Sequence, residues 1–439
     1  MRSLEEWLEY QTRLHPQAID LGLDRLREVL KRLEWRGPAV PVITVAGTNG
    51  KGSVCAYCAS ILTAAGHRVG TFTSPHLRDY RERIRIHDRL VRAEELVAAF
   101  ERIERARAEI GLTFFEFNAL AAFLIFEAAR LDAWVLEIGM GGRLDAVNVL
   151  DPDAAVVVSV GLDHQEYLGT TLAAIAREKA GIFRPGRPAI LGSRDMPAAV
   201  ADTARAVGAP LKRLGQEFAG RRDGGRWSYR GPRRELDDLP PPALLGDTQL
   251  DNAATAIAAL EEIERLPVPR EAVARGLEQA RLVARFQVIR DAAGPAWILD
   301  VAHNPAAARV LASNLSSLPR TGRTLAVCGI LADKDAAGVA AELERSFDEW
   351  WCVATDSERG RSGEDLARTV AAVVAAPVRA APGIESGCMA ALAAAARDDR
   401  IVVFGSFHTV GPAMTWLESR GLLPPDAVPE YTATPRPLT

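Results

Sequence analysis

Residues 41–66 read PVITVAGTNGKGSVCAYCASILTAAG, and no other stretch limits the fold so tightly. PVITVAG is a short β-branched run ending in glycine, the signature of a buried strand. A glycine-rich turn follows, then SVCAYCASILTAAG (53–66), a helix stopped by Gly66, and then HRVGTFTS (67–74), a second strand. Strand, turn, helix and strand in this order make one βαβ unit and predict a parallel sheet. In Gly47-Thr48-Asn49-Gly50-Lys51-Gly52-Ser53 the small residues let the backbone wrap phosphate oxygens with its N–H groups inward. The helix N-terminus adds positive potential, Lys51 supplies a charge for the outer phosphates, and the Ser53 hydroxyl suits Mg²⁺. The spacing departs from the usual phosphate-loop form, with two residues instead of four separating the first two glycines and an extra Gly52 after the lysine. The plainer alternative, a glycine-rich turn with an exposed lysine, is disfavoured because strand, turn and helix all fall where the motif requires them.

The alternation continues along the chain. Helical stretches are expected on both sides of Pro16, in AEELVAAFERIERARAEIG, in FNALAAFLIFEAARL, at 172–181 and in LDNAATAIAALEEI; strands are expected at 134–139, 154–161 and 188–192. Residues 215–247, polar and rich in Gly, Pro and Arg, read as an exposed hairpin or loop insertion. Near Arg285 the pattern restarts, with strands at 297–302, 324–331, 350–355 and 401–406. With 439 residues the chain exceeds what one core usually supports, so two α/β domains are expected, 1–284 and 285–439. The last residues, DAVPEYTATPRPLT, read as a proline-rich tail.

A hydrophobic fraction of 48%, a charged fraction of 25% and a net charge of -4 exclude disorder, collagen and a coiled coil as the main architecture, and give no broad basic surface for non-specific nucleic-acid binding. The N-terminus lacks the apolar core of a secretion signal, and no apolar run reaches the roughly 20 residues of a membrane helix. Five cysteines are too few and too scattered for a disulfide framework, which points to a reducing, cytoplasmic compartment. Cys55 and Cys58 fall at i and i+3 inside a helix with no further ligands in view, so they read as core residues, not a zinc site.

Other polar residues fall where open α/β sheets bind ligands, at strand ends. Glu137 closes WVLEIG and is followed by the small-residue turn Gly139-Met140-Gly141-Gly142. Alone it is a glutamate rejoining solvent; the turn leaves room for a ligand. Asp163-His164 follow AAVVVSVG, and from chemistry alone His164 is either a metal ligand or a structural cap, since imidazole is an uncommon partner for Mg²⁺. Lys179, in IAREKAG, is an ordinary helical lysine unless it is drawn into a site. Asp300, His303 and Asn304 cluster where the strand WILDVA closes; one such residue is a helix cap, three together favour a site.

Taken together, VAGTNGKGS (45–53), TSPHL (73–77), RERIRI (81–86), TFFEF (113–117), LEIGMGGRLDAVN (136–148), GLDHQEYLGTT (161–171), IAREKAGIFRPG (175–186), QLDNAATA (249–256), RFQ (285–287), LDVAHNP (299–305), LADKD (331–335) and GSFHTV (405–410) resemble the Mur-ligase superfamily. Within it they resemble the bacterial dihydrofolate synthase/folylpolyglutamate synthases. The resemblance implies a P-loop-type ATPase domain with a mostly parallel sheet, which also binds the pterin, and a smaller Rossmann-like glutamate-ligase domain. It implies a reaction of folate biosynthesis: ATP phosphorylates a carboxylate, and the amine of L-glutamate attacks the acyl phosphate to give an amide, ADP and phosphate. Dihydropteroate would give dihydrofolate, and a reduced folate a polyglutamate tail. By matching positions, Gly47, Thr48, Asn49, Gly50, Lys51, Gly52 and Ser53 fall on the ATP phosphates. Ser53, Glu137 and His164 fall on Mg²⁺ ligands, and Lys179 on a carbamylated lysine near a second metal. Asn252 and Arg285 fall on nucleotide contacts. Asp300 and His303 face the acyl phosphate, nucleotide and glutamate, and Thr73, Ser74, Phe115 and Asp145 line the pterin pocket. Lys51, Lys179, Asp300 and His303 are thus the expected catalytic residues. ATP, two Mg²⁺ ions and a monovalent cation are the expected cofactors; a cytoplasmic monomer with small-molecule partners only, neither nucleic acid nor membrane, is the expected state.

The departures from the family are small: Val283-Ala284 where Pro-Gly often precedes the arginine, Gln165-Glu166-Tyr167 after the metal histidine where Thr-Asp-Trp is common, and Met140 for a leucine. A polyglutamate synthase alone, a Mur-type ligase with another acceptor, and an ATP-hydrolysing switch are the competing readings. TFFEF and GSFHTV argue against the second, and the separate DVAHN cluster against the third.

Overall fold

The computed structural model describes residues 2–17, 19–290, 294–357 and 359–423; the expected proline-rich tail lies outside them. Packing divides the chain into one unit of Met1–Pro75, Arg81–Ala243 and Leu250–Ala280, and a second of His76–Tyr80, Leu244–Gln249 and Arg281–Thr439.

In the first unit the strands are β1 (Val42–Ala46), β2 (Val69–Phe72), β3 (Ile84–Ile86), β4 (Arg89–Leu90), β5 (Ala133–Glu137), β6 (Ala154–Val157), β7 (Ala189–Leu191) and β8 (Leu211–Arg213). They form one sheet in the order β4-β3-β2-β5-β1-β6-β7-β8, parallel from β2 through β8 and antiparallel at the β2–β3–β4 edge. Strands β1, β2 and β5–β7 are buried along their whole length, as expected for a parallel sheet covered on both faces. The helices are α1 (Leu4–Thr12), α2 (Asp24–Arg32), α3 (Lys51–Ala64), α4 (Ala93–Arg107), α5 (Phe114–Ala128), α6 (Gln165–Leu168), α7 (Leu172–Ala180), α8 (Ala198–Val207), α9 (Thr248–Glu261) and α10 (Arg270–Gln279).

The polar stretch expected to be an exposed hairpin or loop is instead a three-stranded antiparallel sheet, β9 (Ala219–Asp223), β10 (Arg226–Arg230) and β11 (Glu235–Leu239). Alternation in Arg226-Trp227-Ser228-Tyr229-Arg230 puts both aromatics on one face, where they are buried. The Trp227 indole N–H donates to Pro240 O (2.8 Å) and the Tyr229 hydroxyl to Glu261 Oε1 (2.7 Å). Two aromatics outweigh the polar composition around them.

The second unit holds β12 (Gln287–Ile289), β13 (Ala296–Leu299), β14 (Thr324–Cys328), β15 (Glu349–Val353), β16 (Val378–Ala381) and β17 (Arg400–Phe404). Their order is β12-β13-β17-β14-β15-β16, with β12 antiparallel and the rest parallel. Its helices are α11 (Pro305–Ser317), α12 (Ala336–Leu343), α13 (Gly363–Ala371), α14 (Ile384–Ala394) and α15 (Phe407–Ser419). Alternate residues feed two cores. Trp297, Leu299, Val327 and Val403 pack with α14 and α15, and Ile298, Ala326, Trp350 and Val402 with α11 to α13. Leu77 packs on the first core, and its carbonyl lies where a side chain at Gly411 would sit, at 2.2 Å from an ideal Cβ.

Ahead of β12, Ala284 and Phe286 both adopt left-handed backbone, with φ 56° and 48°. Three bonds hold the turn: Ala284 N–H to Gln287 Oε1 (3.0 Å), Val301 N–H to Ala284 O (3.2 Å) and Phe286 N–H to Asp300 Oδ2 (2.8 Å). A left-handed alanine costs about 1–2 kcal/mol, most of which glycine avoids at some cost in chain entropy. Ala284→Gly relieves that strain but loses the buried methyl and chain entropy, so the net change in urea unfolding is expected to stay within about 0.5 kcal/mol of zero. A loss of about 1.5 kcal/mol or more would show that the turn carries no strain.

Candidate active site

Strand β1 lies between β5 and β6, with Val45 opposite Glu137 and Ala46 opposite Val157. The loops leaving these three strands are therefore neighbours at the carboxyl edge of the sheet, the ligand-binding edge of such folds. Gly50 caps α3 with φ 84°, and a Cβ there would come 2.7 Å from Val158 Cγ1. The loop after β1 is laced to the segment after β6. Thr48 N–H donates to Ser159 O (2.9 Å), and Asn49 N–H to Ser159 Oγ (3.0 Å), which donates back to Asn49 O (2.9 Å). Thr48 Oγ1 accepts from Gly161 N–H (2.9 Å) and donates to Gly161 O (3.2 Å). Buried Asn252, from α9, turns its Oδ1 toward Gly50, 3.1 Å from where a Cβ would stand. Ser159 is a member of this site that sequence reading passed over; its signal is a serine just past a buried strand adjacent to the phosphate loop.

Two lysines converge on the loop. Lys51 Nζ donates to Gly47 O (3.0 Å) and Thr48 O (3.3 Å), and Lys179 Nζ, from α7, donates to the same Gly47 carbonyl (3.1 Å). Helix α7 comes this close because Gly142 faces it; an ideal Cβ there would lie 2.7 Å from Glu178 O and 2.8 Å from Lys179 O. Lys179 is 4% exposed and, among the described residues, forms no ion pair. Burial lowers its pKa to about 7, the Lys51 charge adds to the effect, and Asp163 and Asp145 oppose it. Asp145 is buried too, and burial raises its pKa to about 7 although it accepts from Met140 N–H (2.9 Å) and Val147 N–H (3.0 Å). Those bonds tie down the Gly139–Gly142 turn.

Ser53 and Glu137 are buried beside the loop, and Glu137 Oε2 accepts from Ser74 N–H (3.0 Å). His164 follows β6 in left-handed backbone (φ 51°, ψ 40°), and its N–H donates to Asp163 Oδ1 (2.9 Å). For a non-glycine residue this conformation is uncommon and is concentrated at functional sites. Among the described residues, no three His, Cys, Asp or Glu side chains form a ready cation cage. The donors here are one hydroxyl, one carboxylate and one imidazole, a set that fits a divalent ion completing its shell with phosphate and water.

Phe115, on the first turn of α5, lies 5.8 Å from the Phe72 ring and covers Gly139, where a Cβ would meet its Cζ at 2.5 Å. Thr73 N–H donates to Arg83 O (2.9 Å). Cys55 and Cys58 are buried helix residues with thiols pushed up by burial, Cys58 to about 12.

The second unit gathers Arg285, Asp300, His303 and Asn304. Asp300 accepts from Phe286 and Ala302 N–H (2.8 and 2.7 Å), and desolvation raises its pKa against the pull of Arg285. His303 Nδ1 lies 2.9 Å from Val301 O, so that nitrogen carries the proton and Nε2 is the basic one. Asn304 caps α11 through Ala307 N–H (2.9 Å). Arg285 lies over the Phe407 ring, 5.1 Å from its centre.

Two family descriptions match the chain: Mur ligase middle domain over residues 45–207 and Mur ligase, glutamate ligase domain over 284–407. The dihydrofolate synthase/folylpolyglutamate synthase of Escherichia coli is 42% identical over 417 residues, covering 95% of this chain and 96% of that protein. Its counterpart in Haemophilus influenzae is 38% identical, covering 93% and 96%. Among solved structures, E. coli FolC in complex with DHPP and ADP superposes with a TM-score of 0.91 at 42% identity, covering 96% of this chain and 99% of that one. A bifunctional folylpolyglutamate synthase/dihydrofolate synthase with Mn, AMPPNP and L-glutamate bound gives 0.87 at 42% identity, covering 95% and 98%.

Lys179 has a measurable linkage. Its amine is protonated in the unfolded chain up to about pH 10.5 but in the folded protein only up to about 7. The native state thus binds fewer protons between these values, and the stability associated with Lys179 rises with pH across that window. Lys179→Met is expected to stabilise the protein most at pH 7 and below, with the gain shrinking steadily toward pH 10. Urea unfolding at pH 6.5, 8 and 9.5 in CO₂-free buffer reads it; a gain independent of pH would refute the depressed pKa.

Proposed function

The chain belongs to the dihydrofolate synthase/folylpolyglutamate synthase family of Mur ligases, and from that premise we propose how its residues carry ATP-dependent ligation of glutamate. The chain is an ADP-forming carboxylate–amine ligase. Its acceptors, in our reading, are dihydropteroate and reduced folates. The observation that carries this is the glycine loop fixed at the carboxyl edge of β1, with Lys51 and Lys179 both bonded to its Gly47 carbonyl and with Ser53 and Glu137 buried next to it.

The loop amides and Lys51 bind the ATP phosphates. Lys51 leaves the carbonyls of Gly47 and Thr48 for phosphate oxygens and neutralises charge as the γ-phosphoryl group moves to the acceptor carboxylate. Ser53, Glu137 and His164 would hold a divalent ion, which neutralises phosphate charge when bound. Lys179, neutral in good part at pH 7, adds through its amine to CO₂ and releases a proton to water; the resulting carbamate would supply an anionic oxygen donor for a second ion. By their matches to the family, Asn252 and Arg285 are assigned to the nucleotide, and Thr73, Ser74, Phe115 and Asp145 to the pterin pocket. Asp300 holds the turn bearing Arg285, and its match to the family assigns it to the acyl phosphate. His303 presents Nε2 to the glutamate amine and takes its proton as the C–N bond forms and phosphate departs.

ADP release from purified protein with ATP, Mg²⁺ or Mn²⁺ and L-glutamate is expected only when dihydropteroate or tetrahydrofolate is also present. Turnover with both acceptors supports two activities; turnover with tetrahydrofolate alone leaves a polyglutamate synthase. ADP release without any acceptor would sink the ligase reading. Lys51→Ala is expected to lower kcat by on the order of 10²–10³-fold or more. Lys179→Ala is expected to be inactive and partly restored by acetate; normal turnover in that variant would remove the carbamate.

A further inference from the structure

Phe115 owes its place to the first turn of α5, and that turn is fixed by an ion pair distant in sequence. Thr113 caps the helix: its Oγ1 accepts from Glu116 N–H (3.2 Å), while Glu116 Oε2 accepts from Thr113 N–H (2.8 Å). This capping box leaves Oε1 of a carboxylate that is only 3% exposed. Arg25, on α2, fills that position, donating from Nε (3.2 Å) and Nη2 (3.1 Å). It is the one cation paired with Glu116 among the described residues. Arg25 is itself held in place, donating from Nη1 to Asp20 Oδ2 (2.6 Å) and from Nη2 to Asp20 O (2.7 Å), and His15 Nε2 lies 3.4 Å from the same Asp20 carboxylate. A network from the N-terminal segment therefore ends at the residue beside Phe115.

We propose that Arg25 is a positioning residue for the acceptor pocket: through Glu116 it fixes the start of α5 and keeps the Phe115 ring over Gly139. The proposal rests on the reading of the acceptor as a pteroate. A buried carboxylate that loses its only cation must turn toward solvent or take up a proton. Turning outward breaks the capping box and protonation weakens it, and in both cases the first turn carrying Phe115 loosens. Phe115 lies against Phe72 and Gly139, at the ends of β2 and β5, whereas the phosphate loop leaves β1 and is held by Ser159 and Gly161. The damage is thus expected in acceptor binding and not in ATP binding.

Steady-state kinetics of the full chain test this with Arg25→Ala, Arg25→Lys and Glu116→Gln. Arg25→Ala is expected to raise KM for dihydropteroate about tenfold while KM for ATP stays within about twofold. Arg25→Lys, which keeps the charge, is expected to recover part of that loss. Glu116→Gln is expected to shift the same KM in the same direction by a smaller factor, and these two variants carry the test if Arg25→Ala does not fold. Parallel rises in both KM values, or a fall in kcat at constant KM, would overturn the proposal while leaving the ligase reading intact. A wild-type protein that ligates glutamate to another acceptor but not to dihydropteroate or a folate would overturn the acceptor reading and this proposal together.

Discussion

The phosphate loop depends on the hydrogen bonds that stitch it to the end of β6. Thr48 and Asn49 are held by Ser159 and Gly161, so the loop that follows β1 has little freedom to move independently of the next strand. That lacing is available only because β1 and β6 are parallel neighbours, which brings two carboxyl ends to the same level. Parallel pairing of β1 with β5 brings Glu137 to that level from the other side. The segments bearing Glu137 and His164 and the N-terminus of α3, far apart in sequence, are thus brought to one sheet edge by strand register and not by local motif geometry.

The same edge concentrates buried charge. Lys179, Asp145 and Glu137 are all nearly inaccessible, and for Lys179 and Asp145 burial opposes the charged form strongly enough to bring both near pH 7. Burying a charge costs stability, so groups that persist in such places are candidates for chemistry. Gly142 is part of the same arrangement, because only a residue without a side chain lets α7 press Lys179 against the Gly47 carbonyl. Stability lost at Lys179 is offset elsewhere in the unit, where five strands are buried throughout and contribute apolar side chains to the core.

Sequence periodicity was a good guide where one signal dominated. The βαβ unit at 41–74, the apolar strands and the long helices show through their burial pattern, and the two α/β sheets follow from the alternation. It was a poor guide where packing overrides composition. Trp227 and Tyr229 sit among arginines and glycines, and the alternation that buries them is only five residues long. The short strands β12 and β16 lie at sheet edges, where few residues are needed to pair. At the site, the glycine loop, Glu137 and Asp163-His164 are legible because strand ends are where such folds bind ligands. Ser159 and the Arg25–Glu116 pair are not, because their meaning arises only when distant segments touch.

Backbone strain follows a related logic. At the carboxyl edge of the first sheet, left-handed residues stand just after strand ends: Gly50 beyond β1, Gly141 beyond β5 and His164 beyond β6; Gly405 does the same beyond β17 of the second sheet. Left-handed residues elsewhere, such as Gly66 after α3 and Arg130 after α5, end helices and turn the chain into the next strand. The two groups use the same conformation for different ends. A helix terminator needs only to satisfy carbonyls, so its side chain is dispensable and glycine serves. His164 keeps a bulky ring in that conformation, as Phe286 does beside Arg285, while Ala284 keeps only a methyl group. Such strain persists when the side chain, or the neighbour it holds, is needed in that place. At Ala284 a methyl group supplies no such chemistry, so its strain is dispensable, whereas at His164 the strained backbone and the imidazole belong to one arrangement.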